Sequence, residues 1–240
     1  VFIYHFFVRK ETYLKPPIRA FIFAWRVVRN ILQIGFPASI SMIVMSMGGV
    51  FFNRLISTFG SDAVAAYGIG GRLDAVYFLP TFALASSMVT LTGMFLGAGR
   101  IDLIRETVNY VYMRGQFMAL GFGVLFYGLA PYVYAIFTDD SAIIAMAVSY
   151  IRTMVFAFPF ITVGVVSGRI FQGLGEGIPS LLLTAMRVVL VSGALAFLFV
   201  RVLSMGLESV WWALALGAAI TSTISFVWLR WHIGRLESCA

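Results

Sequence analysis

Several charged side chains stand inside or at the edge of long apolar stretches: Arg54, Arg72, Asp74, Arg152, Arg169 and Arg187. A charge held away from water is costly and persists where it meets a partner, a cavity or an ion path. Arg72 and Asp74 are two residues apart, so on one helix they face different ways and each needs its own partner. Asn53, Ser46 and Gln172 are the polar side chains suited to that task. Two chemistries stand open for the pair: contact with a solute, or a buried polar clamp between helices. Arg169 and Arg187 fall toward the ends of their stretches, where a long stem lets the guanidinium snorkel to headgroups. The chain is read as a non-enzyme, having no His-Glu-x-x-His, no Gly-x-Ser-x-Gly and no pair of intramembrane carboxylates. His5 and His232 lie near opposite ends and Cys239 is the lone cysteine, so neither a metal site nor an internal disulfide is expected.

The elements that must hold these charges are set by hydropathy. Of 240 residues 61% are hydrophobic and 11% charged, more apolar surface than a soluble domain can bury. A bilayer core of roughly 30 Å takes about 20 apolar residues per helix. Runs over 31–58, 63–96, 107–137, 142–172, 178–202 and 209–231 meet that length, predicting an all-α membrane protein with six transmembrane helices. The alternation of a membrane β-barrel is absent. Pro37, Pro80 and Pro159 fall inside the runs and are expected to kink them. A hairpin turning near residue 60 sets Arg72 and Asp74 level with Gly48 and Ser46, where small residues leave room for a polar cavity.

The remaining segments read as connectors. Residues 1–8, starting at Val1 without an initiator Met, are too short to span and resemble the end of a preceding transmembrane helix, which implies a longer polypeptide. Residues 9–30 form a cytoplasmic or interfacial linker with Trp25 and Phe21 toward lipid. Asp102, Arg105 and Glu106 mix signs as a solvated loop does, and residues 232–240 read as a cytoplasmic tail. Gly173-Leu174-Gly175-Glu176-Gly177 lacks the Lys-Ser/Thr of a phosphate loop and reads as a helix-ending turn. The net charge of +7 gathers in alternate loops, with Arg9, Lys10, Lys15, Arg19, Arg26, Arg29, Arg100, Arg105, Arg230 and Arg235 on one side. That asymmetry places both ends in the cytoplasm of a multi-pass cell (inner or plasma) membrane protein and tells against nucleic acid.

The order of motifs is that of a known family. Ile34-Gly35-Phe36-Pro37-Ala38-Ser39, Ala66-Tyr67-Gly68-Ile69-Gly70-Gly71-Arg72-Leu73-Asp74, Phe78-Leu79-Pro80, Thr92 to Arg100 and Phe171-Gln172-Gly173-Leu174-Gly175 resemble the second half of a MATE (multidrug and toxic compound extrusion) transporter. The resemblance implies the C-terminal lobe of a twelve-helix, two-lobe antiporter. That antiporter would export small organic, chiefly cationic, compounds by alternating access, with an H⁺ or Na⁺ gradient in place of any cofactor. Its partners would be the lipid bilayer and a missing N-terminal six-helix lobe of the same polypeptide. Met45 and Ile161 stand where the NorM-like branch carries a Glu and an Asp, so the chain is more similar to the DinF-like branch, whose coupling carboxylate lies in the first lobe. Met45, Gly49, Asn53, Arg72, Asp74, Tyr77 and Gln172 are the candidate substrate or cavity residues. The competing readings are a lipid-linked oligosaccharide flippase of the same superfamily, marked by an Arg-lined cavity, and a non-transporting membrane scaffold.

Overall fold

A computed structural model describes residues 24–239, and among them the regular structure is helical throughout. Helix α1 (Trp25–Ile56) ends in a 3₁₀ turn, Ser57–Phe59, and is followed by α2 (Ser61–Gly97), α3 (Ile101–Tyr134) and α4 (Ser141–Gly173). Then come α5, a continuous helix over Gly177–Val202, and α6 (Glu208–Cys239). All six are long and apolar enough to cross a membrane. Their outward faces are greasy: Val124 of α3 and Leu79 of α2 are 78% and 73% exposed, surface that lipid covers.

Each boundary has a local cause. Gly60 takes φ +109°, reversing the chain into α2, where Asp62 in the first turn meets the positive end of the helix dipole. Asp140 caps α4, its Oδ1 accepting from the amides of Ala142 (2.8 Å) and Ile143 (3.4 Å). Gly175, at φ +87°, closes α4 while the Glu176 amide donates to the Phe171 carbonyl (2.9 Å), the helix-ending turn expected there.

Three boundaries differ from expectation. The mixed charges Asp102, Arg105 and Glu106 lie in the opening turns of α3, not in a loop. Their polarity reflects water around a helix that projects beyond the hydrocarbon, which hydropathy alone cannot tell from a loop. For the same reason α1 begins at Trp25 rather than Ile31, and the expected tail from His232 continues α6 to Cys239. The segments expected over residues 1–8 and 9–23 lie outside the described residues.

Helix α4 is the centre of the lobe, packed by α2, α3 and α6, with α5 against α6. Gly173 lets the backbones of α2 and α4 approach closely, since a Cβ there would come within 2.8 Å of the Val89 carbonyl oxygen. Gly164 and Gly168, four residues apart on α4, face Ser222 and Ser180, a small-xxx-small spacing that lets helices approach closely. Polar groups join helices in the core. Tyr112 and Ser167 share a hydrogen bond of 2.7 Å, and Ser225 donates to Ser167 across 3.4 Å, tying α3, α4 and α6.

The termini of α3, α4, α5 and α6 that carry Arg105, Glu176 and Glu237 meet at one end. There Arg105 pairs with Glu237 (3.4 Å) and His232 with Glu176 (3.1 Å). Ser149 donates to Glu208 (3.1 Å) at the other. Between residues 186 and 202, α5 widens into two π-helical stretches, Met186–Gly193 and Leu198–Val202. Wide turns of this kind are rare and frequently mark functional sites. At Gly193 a Cβ would come within 3.0 Å of the Val188 carbonyl oxygen five residues earlier, so the wide turn and the glycine suit each other.

Candidate functional site

Two cavities lie end to end along the lobe. The first, about 210 Å³, is bounded by Met45, Gly48, Gly49 and Phe52 of α1 and by Tyr67, Asp74 and Phe78 of α2. Its other walls are Tyr150, Met154 and Ile161 of α4, Arg187, Val188 and Ser192 of α5, and Leu214 and Ala218 of α6. The second, about 400 Å³, continues toward the Glu176 end: Gly35 to Met45 along α1, Gly164 to Gln172 along α4, Ser180 to Arg187 along α5, and Thr221 and Ser225 of α6. Met45 and Arg187 line both and mark the boundary.

In the first cavity Asp74 is held by an aromatic cluster. Tyr150 donates its hydroxyl proton to Asp74 Oδ2. The Tyr150 ring meets Trp211 edge-on at 4.9 Å and Tyr67 at 5.6 Å, while Tyr67 stacks on Trp211 at 5.8 Å. Gly70, one turn before Asp74, makes room for this ring, because a Cβ there would come within 2.9 Å of Tyr150 Cε1 and nearer still to Cδ1. Among the described residues Asp74 Oδ1 is buried without a hydrogen-bond partner, as are the Tyr134 hydroxyl and Trp211 Nε1. A buried carboxylate oxygen with no donor is costly and carries strong demand for a proton, a cation or a hydrogen-bond donor.

In the second cavity the chemistry is of opposite sign. Arg169 Nη1 donates to Gln172 Oε1 (3.1 Å), and Gln172 Nε2 donates to Ser180 Oγ (2.9 Å). Arg187 makes no hydrogen bond or ion pair to any described residue. Among the described residues no Asp or Glu lines this cavity.

The sequence-based candidates separate accordingly. Met45, Gly49 and Asp74 line the first cavity, and Met45 and Gln172 the second. Arg72 turns away from both, its guanidinium lying 5.3 Å over the ring of Phe137, and Asn53 is exposed on α1. Tyr77 is fully buried against Phe158 (3.9 Å between rings), donates to the Phe158 carbonyl (2.7 Å) and leaves its oxygen to Thr162. Its place is in the α2–α4 contact. The partners expected for Arg72 and Asp74 are therefore corrected: Phe137 and Tyr150 take the roles assigned to Asn53, Ser46 and Gln172. Pro37, Pro80 and Pro159 lie within helices, and Gln116 donates to the Pro159 carbonyl (3.0 Å), joining α3 to α4 beside that proline. Arg169 and Arg187, expected at headgroups, face the second cavity instead. The polar stripe Ser180, Thr184 and Arg187, at helical spacing, is the signal that would have found it. Tyr150 and Trp211 carried no local signal. No group of three or more metal-ligating side chains comes together among the described residues.

A family model for MatE matches residues 37–198, which includes most of both cavities. The chain belongs to the MatE family. It is 23% identical over 232 residues to a probable multidrug resistance protein NorM of Thermotoga maritima, covering 95% of this chain and 48% of that protein. It is 24% identical over 187 residues to a probable multidrug resistance protein YpnP of Bacillus subtilis, covering 78% and 40%. Among solved structures it superposes, at a TM-score of 0.93 and 26% identity, on an outward-facing multidrug resistance MATE family transporter of the MOP superfamily, covering 99% of this chain and 53% of that one. A MOP superfamily transporter from Pyrococcus furiosus, described as having a binding pocket of reverse polarity, matches equally well at 0.93 and 26%, with 98% and 53% covered. The chain spans about half the length of these relatives. This MatE chain is thus a multi-pass membrane protein whose six helices match one lobe of a MATE transporter.

Proposed function

We propose that the chain is the C-terminal lobe of a multidrug exporter that works by alternating access, driven by an H⁺ or Na⁺ gradient. The observation that carries this reading is the pair of cavities opening between helices of a lobe whose sequence and fold match MATE family transporters. A scaffold that merely joined helices would fill such space with side chains. On this reading the second six-helix lobe belongs to the same polypeptide, the membrane is the cell membrane and both ends are cytoplasmic, as the basic loops favour. Met45 and Ile161 both border the Asp74 cavity, so that wall offers no further carboxylate, which supports the DinF-like branch. Asp74, with its unpartnered oxygen and aromatic walls, is the group in this lobe best suited to respond to a proton or cation. The test is efflux of ethidium from cells expressing the full-length protein under imposed H⁺ or Na⁺ gradients, with Asp74→Asn beside it. Gradient-driven efflux that falls at least about tenfold in the variant is expected. Efflux indifferent to both gradients, from protein correctly inserted, would sink the reading.

A further inference from the structure

We propose that the second cavity binds the anionic group, a phosphate or carboxylate, of an amphiphilic solute. The inference rests on the export reading only in making that solute a cargo.

Arg187 stands ten residues into the 26-residue α5, about 15 Å along the helix axis, and lines both cavities, so its charge is directed into the lobe. Yet no described acceptor meets it. Asp74, the carboxylate that shares the first cavity with it, gives one oxygen to Tyr150, keeps the other free of any described donor and forms no ion pair with it. An unpaired guanidinium inside a membrane protein marks a site for a counter-charge. Arg169, one turn from the end of α4, stands toward the mouth of the same cavity, and among the described residues only its Nη1 has an acceptor. Gln172, by accepting from Arg169 and donating to Ser180, fixes the guanidinium and leaves the Ser180 hydroxyl proton free to donate. Guanidinium forks and hydroxyls are all donors toward an oxyanion, and with no carboxylate in the lining nothing opposes its entry. Ala38, Met42, Phe82 and Leu183 supply the apolar wall for an attached hydrocarbon. The volume of about 400 Å³ suits a small ligand.

The test uses the intact protein purified in an uncharged detergent, with binding of dodecyl phosphate and of dodecyltrimethylammonium read by tryptophan fluorescence. Dodecyl phosphate is expected to bind at least about tenfold tighter than the cation. Arg187→Gln should weaken it about tenfold and Arg169→Gln about threefold, with Arg187→Lys recovering part of the loss. Should Arg187→Gln not fold, Arg169→Gln carries the test. Equal affinity for phosphate and cation, or phosphate affinity within about twofold of wild type in the folded glutamine variants, overturns the proposal. Nanodiscs separate the sources. Displacement of dodecyl phosphate by phosphatidylglycerol but not phosphatidylcholine supports a lipid phosphate as ligand, and no displacement by either supports a water-soluble anion. The two readings fail separately: a protein that binds dodecyl phosphate but shows no gradient-driven efflux loses only the export function, and one that exports but binds dodecyl phosphate no tighter than the cation loses only this site.

Discussion

The two cavities share Met45 and Arg187 and are walled by the same helices, yet one presents a carboxylate among aromatic rings and the other presents guanidiniums among hydroxyls. The difference lies in what each charge has been given. Asp74 has one oxygen bound by Tyr150 and one left without a donor, in a pocket whose rings pack tightly on one another. Arg169 and Arg187 have most of their donors free in a roomier space with aliphatic walls. Charge is graded along the lobe, from the Asp74 carboxylate through Arg187, which lines both cavities, to Arg169.

The comparison breaks most severely at Gly70. In Gly70→Val the side chain enters the space of the Tyr150 ring; a loss of about 3 kcal/mol in stability is expected, read as a fall in melting temperature. Gly49→Ala, on the opposite wall where a Cβ meets nothing, should leave the melting temperature unchanged. Next is Tyr150→Phe, which strips the donor from Asp74 and leaves both oxygens unpartnered. It should cost about 2 kcal/mol of stability and lower efflux while dodecyl phosphate binding stays at wild-type strength. Met45→Glu sharpens the contrast, because it places a carboxylate on the shared boundary. Phosphate affinity should fall about tenfold, about 1.4 kcal/mol, and dodecyltrimethylammonium affinity should rise in the same titration. Ser180→Ala is the mildest change. It removes the acceptor of Gln172 and a donor of the cavity, and should weaken phosphate binding about threefold with less than about 1 kcal/mol of stability lost.

The helices were legible because a bilayer imposes a length on apolar runs. The six expected spans correspond one to one with α1 to α6, and the larger disagreements are projecting ends such as Ile101 to Glu106, where a helix in water looks like a loop. The site was legible in part. Asp74 stood out as a carboxylate in an apolar run, and Met45, Gly49 and Gln172 line the cavities, but the partner of Asp74 could not be read. Tyr150 is 76 residues away, one tyrosine among several, and its selection depends on the void left by Gly70 and the ring of Trp211. Arg169 and Arg187 were misplaced for a physical reason as well. Sequence distance from a helix end suggests access to headgroups, while the direction of the side chain depends on packing that only the folded lobe settles.

The wide turns of α5 decide more than local geometry. In ordinary α-winding, Ser192 would sit about 140° around the axis from Arg187. The i to i+5 closure of the Met186–Gly193 stretch brings residues five apart nearly into line. Ser180, Thr184, Arg187 and Ser192 thereby form one polar seam, whose upper part faces the guanidinium chamber and whose lower part faces the carboxylate chamber. A single phase slip in one helix is what lets a stripe written with spacings of four, three and five run unbroken past both compartments.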